Sequence, residues 1–431
     1  MYVGKLIFMD PKFISLSFFI TSYLLFIFLQ KRRVLIAVIS VILLILSRVI
    51  SIKDAFFSIN WNVMAILVGT SMVADIFIKS SLPTYLAEII IDKARNTGWA
   101  ILFLCLLTGF ISTFVENVTT ILIVAPIAFS LAKKLKINPT KMMIALAISS
   151  NLQSTATLIG DPPSMLLGSF AKMDFGDFFF YQGKPSIFFA VEFGALCSFF
   201  VLYFIFKNYK EKAQLLRVER VKSWLPTIIF IGLILSLVFS SFLNTNFSYL
   251  TGMICLVFGI ISILWEKFLN KGSIFKSAKS LDWETIFFLI GVFILVGSIT
   301  LTGWIKIISG FFSNLVGTNI FWGYTLIVFV SVFLSAFIDN VPFLATMLPV
   351  IASLADKLMV NPSLFLFGLI IGTSLGGNIT PIGASANIVT CGLLKKEGYS
   401  VKFQDFIKIG LPFTLVAISA AYLFIWFVWK I

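Results

Sequence analysis

The sequence contains no histidine. Imidazole metal sites, Ser–His–Asp catalysis and histidine proton relays are therefore excluded together. A proton carrier in this chain must be a carboxylate, helped at most by lysine or tyrosine. Charge is scarce as well. Asp, Glu, Lys and Arg make up 12% of the 431 residues, about half the share in ordinary soluble domains. Four cysteines, Cys105, Cys197, Cys255 and Cys391, are scattered through apolar runs without a CxxC pair. Buried inert thiols are expected, not a redox centre. No P-loop, nucleotide fingerprint or metal motif appears, which argues against ATP-driven transport by this chain alone. A membrane-embedded hydrolase would need a nucleophile–base pair or a metal, and histidine is absent.

What is abundant is apolar surface. Hydrophobic types reach 59%, against roughly 45–50% in soluble domains. A soluble fold of this size could not hide them, so the expected solvent is lipid. At about 20 residues per span the chain has room for roughly 10–12 crossings. Lys+Arg exceeds Asp+Glu by 33 to 19, a formal charge of +14. In a membrane protein that excess reads as loop lysines that set orientation, not as a nucleic-acid surface. The run Phe13–Leu29 is followed by Lys31-Arg32-Arg33 and reads as a retained span, not a signal peptide.

The runs 98–134 and 322–357 are too long for one crossing. Each is interrupted by a polar cluster, Ser112-Thr113-Phe114-Val115-Glu116-Asn117 in the first and Ser335-Ala336-Phe337-Ile338-Asp339-Asn340-Val341-Pro342 in the second. Each run is either two spans with a tight turn or a re-entrant hairpin; polar residues at mid-depth favour the hairpin. The basic segment 207–222 is placed in the cytoplasm, and Lys31–Arg33, Lys133-Lys134-Lys136, Lys267–Lys279 and Lys395-Lys396 then fall inside with it. The uncharged 244–248 loop falls outside. Both treatments of the long runs give this same orientation.

The two halves match at a fixed offset. Glu116-Asn117, Pro126, Asn138-Pro139, Thr157 and Ile159-Gly160 recur 223 residues later as Asp339-Asn340, Pro349, Asn361-Pro362, Thr380 and Ile382-Gly383. Trp61 and Gly69 recur at 222 as Trp283 and Gly291. With Trp61 starting its span outside and Trp283 inside, these are expected to be inverted-topology repeats. The expected architecture is an all-α polytopic membrane protein with about ten spans and two re-entrant hairpins. Residues 1–60 form N-terminal spans, 61–206 the first repeat, 207–223 a cytoplasmic linker, 224–283 two connecting spans and 284–431 the second repeat.

Residues 149–163 and 372–387 carry glycine, proline and short polar side chains too densely for a continuous helix. Broken helices in lipid must face a cavity, and their ends attract anions or cations. Glu116 and Asp339 are the sharpest positions. A carboxylate near mid-membrane costs roughly 2.5–3.5 kcal/mol by insertion scales, so it persists when protonated, paired or bound to a cation. Asp161 reads equally as a helix-end anchor or a ligand, while Asp75 and Glu192 read as interfacial or packing-paired. The 49 phenylalanines read as lipid-facing filler, and the stretches 80–96 and 303–317 as surface-lying arms.

Phe114-Val115-Glu116-Asn117-Val118-Thr119-Thr120 with Pro126, and Thr157-Leu158-Ile159-Gly160-Asp161-Pro162-Pro163, resemble the ion transporter superfamily. So do Ile338-Asp339-Asn340-Val341-Pro342-Phe343, Gly376-Gly377-Asn378 and Gly383-Ala384-Ser385-Ala386-Asn387. The nearest branch holds ArsB-type arsenite pumps, NhaD-type sodium/proton antiporters and the melanosomal P protein. The resemblance covers nearly the whole chain from about residue 60. It implies an elevator-type carrier, usually a homodimer, in the inner or plasma membrane. Related dicarboxylate carriers have Ser-Asn-Thr tips; here the tips read Glu116-Asn117-Val118 and Asp339-Asn340-Val341, which disfavours multiply charged anions. Gln153-Ser154 and Ser164 depart from the Gly-Gly and Asn that the pattern has at those places.

The expected function is a secondary antiporter that uses a proton or sodium gradient and exports a small inorganic ion or hydroxide such as arsenite. The alternatives are sodium-coupled uptake of citrate or another carboxylate and, further off, an ion channel. Expected site residues are Glu116, Asn117, Thr119, Asn151, Ser154, Thr155, Thr157, Asp161, Asp339, Asn340, Ser374, Gly377, Asn378, Thr380, Ser385 and Asn387. Sodium at Asn117 or Asn340 is an option. No cofactor and no resident metal are expected, and an ATPase subunit is an optional partner.

Overall fold

The computed structural model describes residues 10–29, 32–212, 220–243, 249–268, 279 and 281–430. Lys31, Arg217, the 244–248 loop and residues 269–278 of the basic segment lie outside the described residues. The rest is almost wholly helical, as its apolar composition requires in lipid. The only strands among the described residues are Phe180–Tyr181 and Lys184–Pro185, a short antiparallel ribbon.

The chain opens with α1 (Pro11–Phe28), α2 (Arg33–Leu46) and the short α3 (Ile52–Ser58). A series follows of α4 (Trp61–Lys79), α5 (Leu82–Lys93), α6 (Thr97–Ser112), α7 (Asn117–Leu135), α8 (Thr140–Ser154), α9 (Pro162–Ala171) and α10 (Ile187–Phe206). Then come α11 (Leu225–Ser241) and α12 (Leu250–Phe268). The last series is α13 (Trp283–Leu301), α14 (Trp304–Val316), α15 (Ile320–Ser335), α16 (Asn340–Leu358), α17 (Ser363–Gly376), α18 (Ser385–Lys396) and α19 (Phe403–Trp429).

Eight of these helices are long and apolar enough to cross a membrane: α1, α4, α7, α10, α12, α13, α16 and α19. About ten spans and two hairpins were expected, and α7 and α16 lie in the two runs expected as hairpins. α2, α6, α11 and α15 are apolar but run 14–17 residues, about 21–26 Å, short of the roughly 30 Å hydrocarbon core. Runs 98–134 and 322–357 each resolve into two helices, α6 with α7 and α15 with α16, separated by residues 113–116 and 336–339. Runs 141–171 and 362–392 are broken too, between Ser154 and Pro162 and between Gly376 and Ser385.

α4 packs along α12, α10 along α19, and α2 along α13. Close backbone approach is allowed where α4 meets α12, since a Cβ on Gly259 would stand 3.1 Å from the Gly69 Cα. The helices after the two breaks cross over. α9 packs on α16, and α18 packs on α7 and α8. The helix after each break is thereby packed against helices of the other series, and this crossing places the candidate site.

Candidate functional site

A helix that starts at a break leaves its first N–H groups without partners. At both tips an acid supplies the acceptor. The Glu116 side chain caps α7 and accepts from Thr119 N (3.1 Å) and Thr119 Oγ1 (3.2 Å). Asp339 caps α16 and accepts from Val341 N (3.1 Å). Capping uses one face of each carboxylate, and the surroundings of the remainder differ sharply.

Glu116 lines a cavity of about 230 Å³ with Thr119, Ser71, Asp75, Asp282 and Thr285. Three carboxylates therefore border one small space. Asp75 is paired with Lys79 (2.8 Å), which also reaches Glu266 (3.2 Å). Asp282 caps α13, accepting from Thr285 N (3.0 Å) and Thr285 Oγ1 (2.6 Å). None of the ion pairs among the described residues includes Glu116.

Asp339 instead meets a cation of the chain itself. Arg33, at the start of α2, places one terminal nitrogen 3.0 Å from Asp339 Oδ2 and 3.3 Å from Ser385 Oγ. Its Nε stands 3.2 Å from Glu284, and its guanidinium lies 4.9 Å from the Phe288 ring centre. Tyr23 of α1 donates to the Pro342 carbonyl (2.7 Å) and lies 2.7 Å from Thr346 Oγ1. The first two helices thus grip the second tip. Sequence reasoning treated Arg33 only as one charge of a basic cluster, and nothing local marks a partner 306 residues away.

The breaks are closed by their own polar groups. Asp161 is buried, caps α9 through Ser164 N (2.9 Å) and accepts from Ser154 Oγ (2.9 Å), while the Thr155 carbonyl accepts from Ser164 Oγ (3.4 Å). Asp161 thus stands at a helix end as its N-cap. Thr157 and Thr380 donate to the carbonyls of Thr113 and Ala336, tying each break to a tip at the same sequence separation. Ser150 donates to Ser112 (2.8 Å) and to the Asn117 carbonyl (3.3 Å), and Ser335 donates to the Thr373 carbonyl. With its nitrogen turned toward acceptors, the Asn340 carboxamide reaches the Gly383 carbonyl (3.2 Å). A Cβ on Gly377 would stand 2.8 Å from that same carbonyl and 3.0 Å from the Asn340 carboxamide, so the space there is already filled.

Between the breaks, three asparagines bind one another. Asn151 Nδ2 donates to Asn378 Oδ1 (2.9 Å) and Asn387 Oδ1 (2.8 Å). Asn378 donates to the Ile148 carbonyl (3.2 Å), and Asn387 to the carbonyls of Gly377 (3.0 Å) and Thr380 (2.9 Å). All three are at most 2% exposed. Asn151 Oδ1 and Ser374 Oγ are buried without a hydrogen-bond partner. Glu192 accepts from Gln153 (3.3 Å) and Asp75 pairs with Lys79, so both are engaged in packing contacts. No group of three or more Cys, Asp or Glu positioned to hold a metal occurs among the described residues.

A family model described as "Citrate transporter" matches residues 23–362 and 347–431. An uncharacterised transporter of Mycobacterium tuberculosis is 28% identical over 96% of this chain and 97% of its own length. The mouse P protein is 26% identical over 85% of this chain and 54% of its own length. The YdaH transporter of Alcanivorax borkumensis superposes with a TM-score of 0.61 at 12% identity, covering 97% of this chain and 98% of that one. MtrF of Neisseria gonorrhoeae, from a class of antimetabolite efflux pumps, gives 0.57 at 14% identity, covering 99% and 96%. At such identities the two structures speak to the fold alone.

Proposed function

This chain belongs to the citrate transporter family of multi-pass membrane transporters, and from that premise we propose a secondary active transporter whose coupling cation is taken up at Glu116. The observation that carries this reading is the small cavity in which Glu116, Asp75 and Asp282 meet with no basic partner for Glu116 among the described residues. Acids that border one small cavity favour binding of a proton or a sodium ion there. The same field repels a multiply charged anion. It suits exchange of protons or sodium for a small inorganic ion or a neutral hydroxide, of which arsenite is the model.

The rest of the reading concerns movement. The paired links between breaks and tips support one unit of two tips and two broken helices that travels against a scaffold as an elevator, and the protein is read as a homodimer. The loop charges put the start of α13 on the cytoplasmic side, so the cavity beside Asp282 is read as inward-facing. A second reading, sodium-coupled uptake of citrate or another carboxylate, is favoured by the description of the family. It requires cations to enter with the anion and offset Glu116 and Asp282.

The test is a panel of arsenite, citrate and sodium fluxes in proteoliposomes with imposed pH and sodium gradients. Glu116→Gln should abolish the gradient dependence of whichever flux the wild type shows. Gradient-coupled flux that survives intact in that variant would refute the assignment. Sodium-dependent citrate uptake without arsenite flux would select the second reading.

A further inference from the structure

The two tips are alike in sequence and opposite in electrostatics. Glu116 sits among acids, whereas Asp339 is bound to Arg33 at 3.0 Å, with the two side chains 16% and 24% exposed. We propose that Arg33 is a tethered counter-cation that competes with the coupling ion for Asp339. In this conformation the second tip is closed by the protein's own charge and only the first is open to an ion. The inference rests on the reading of the tip carboxylates as cation sites.

The surroundings of Arg33 are built to hold it there. Glu284 on α13 engages Nε, Ser385 on α18 meets the same terminal nitrogen as Asp339, and the Phe288 ring lies beside the guanidinium. Tyr23 on α1 fixes the first turn of α16 through the Pro342 carbonyl and Thr346, so the tip cannot easily withdraw from Arg33. Among the described residues, the ionisable groups beside the pair are Glu284, which binds Arg33, and Tyr23, which holds the first turn of the tip helix. Arg33 stands between two carboxylates, Glu284 and Asp339. A guanidinium cannot lose its proton at accessible pH, so the competition ends only by displacement. An incoming monovalent cation must take Asp339 while Arg33 remains on Glu284. Arg33 keeps one ion pair after the exchange, which makes displacement reversible rather than prohibitive.

The experiment measures cation equivalents on purified full-length protein. Radioactive sodium binding is read at fixed pH, and proton uptake is read with an indicator in sodium-free medium; the two arms tell the cations apart. Wild type should show one binding step, and a second with a half-saturating concentration higher by about tenfold or more, the scale of one charge-assisted contact. Arg33→Gln should merge the two steps, and Arg33→Gln with Asp339→Asn should remove the second. Added guanidinium should compete at the second step of Arg33→Gln alone. Arg33→Lys, which keeps the charge but loses the fork, should fall between wild type and Arg33→Gln. The wild-type titration needs no variant to fold: two equal steps there would overturn the inference. So would a second step that Arg33→Gln leaves unmoved while Glu116→Gln removes the first. If no cation is taken up by wild type or Arg33→Gln in either arm, the cation-site reading itself falls.

Discussion

Asn151→Ala tests whether the buried asparagines hold the fold or bind substrate. Asn151 is 2% exposed and gives both amide hydrogens to Asn378 Oδ1 and Asn387 Oδ1 at 2.9 and 2.8 Å. Alanine leaves two buried oxygens without donors, at about 1–3 kcal/mol each. It also removes Asn151 Oδ1, a buried acceptor with no partner, which returns a similar amount once. The balance is one orphaned oxygen, and a small cavity adds roughly 1 kcal/mol. The expected loss is about 2–4 kcal/mol, a large share of a typical stability of about 5–15 kcal/mol. Asn151→Asp should lose more, because it sets a carboxylate oxygen against both acceptors. The assay is reversible unfolding in mixed micelles by detergent titration, followed by far-UV circular dichroism. Both variants within about 0.5 kcal/mol of wild type, the range of ordinary neutral changes, would refute the clamp. Unchanged stability with weakened substrate affinity would make Asn151 a ligand.

Gly160→Ala and Gly383→Ala should each destabilise by about 1–3 kcal/mol, because the new Cβ would stand 2.9 Å from the Thr113 and Ser335 carbonyls respectively; the same unfolding assay reads both. Asp177 lies in a short turn between α9 and α10, where burial raises its pKa against the lowering hydrogen bond from Asp174 N (2.8 Å). The folded state then holds that proton more tightly than the unfolded chain. Its stabilising contribution is present at low pH and is lost as pH rises through the raised pKa. Asp177→Asn should flatten this dependence on the alkaline side of the ordinary Asp pKa of about 3.9, as read by thermal unfolding against pH, and an unchanged profile would contradict the sign.

The breaks were legible because they rest on local chemistry. Glycine, proline and short polar residues at Ser149–Pro163 and Gly372–Asn387 cannot continue a helix in any tertiary setting, and α8 and α17 stop inside those segments. The tips were legible for a related reason: an acid before Asn117 or Asn340 can cap the helix that follows it. What sequence could not supply is pairing at long range. Asn151 and Asn387 are each a plausible ligand in isolation; their engagement with each other depends on α8 meeting α18 across 236 residues. The same holds for Arg33, whose charge was assigned to orientation because two other basic residues precede it.

Asp282 and Glu284 stand two residues apart at the beginning of α13. The first lines the Glu116 cavity, and the second holds Arg33 beside Asp339. A helix is stiff over one turn, so these two acids move as a single body. The two tips are therefore wired to one terminal: any tilt of that turn that strengthens the negative field at one carboxylate also resets the leash on the other.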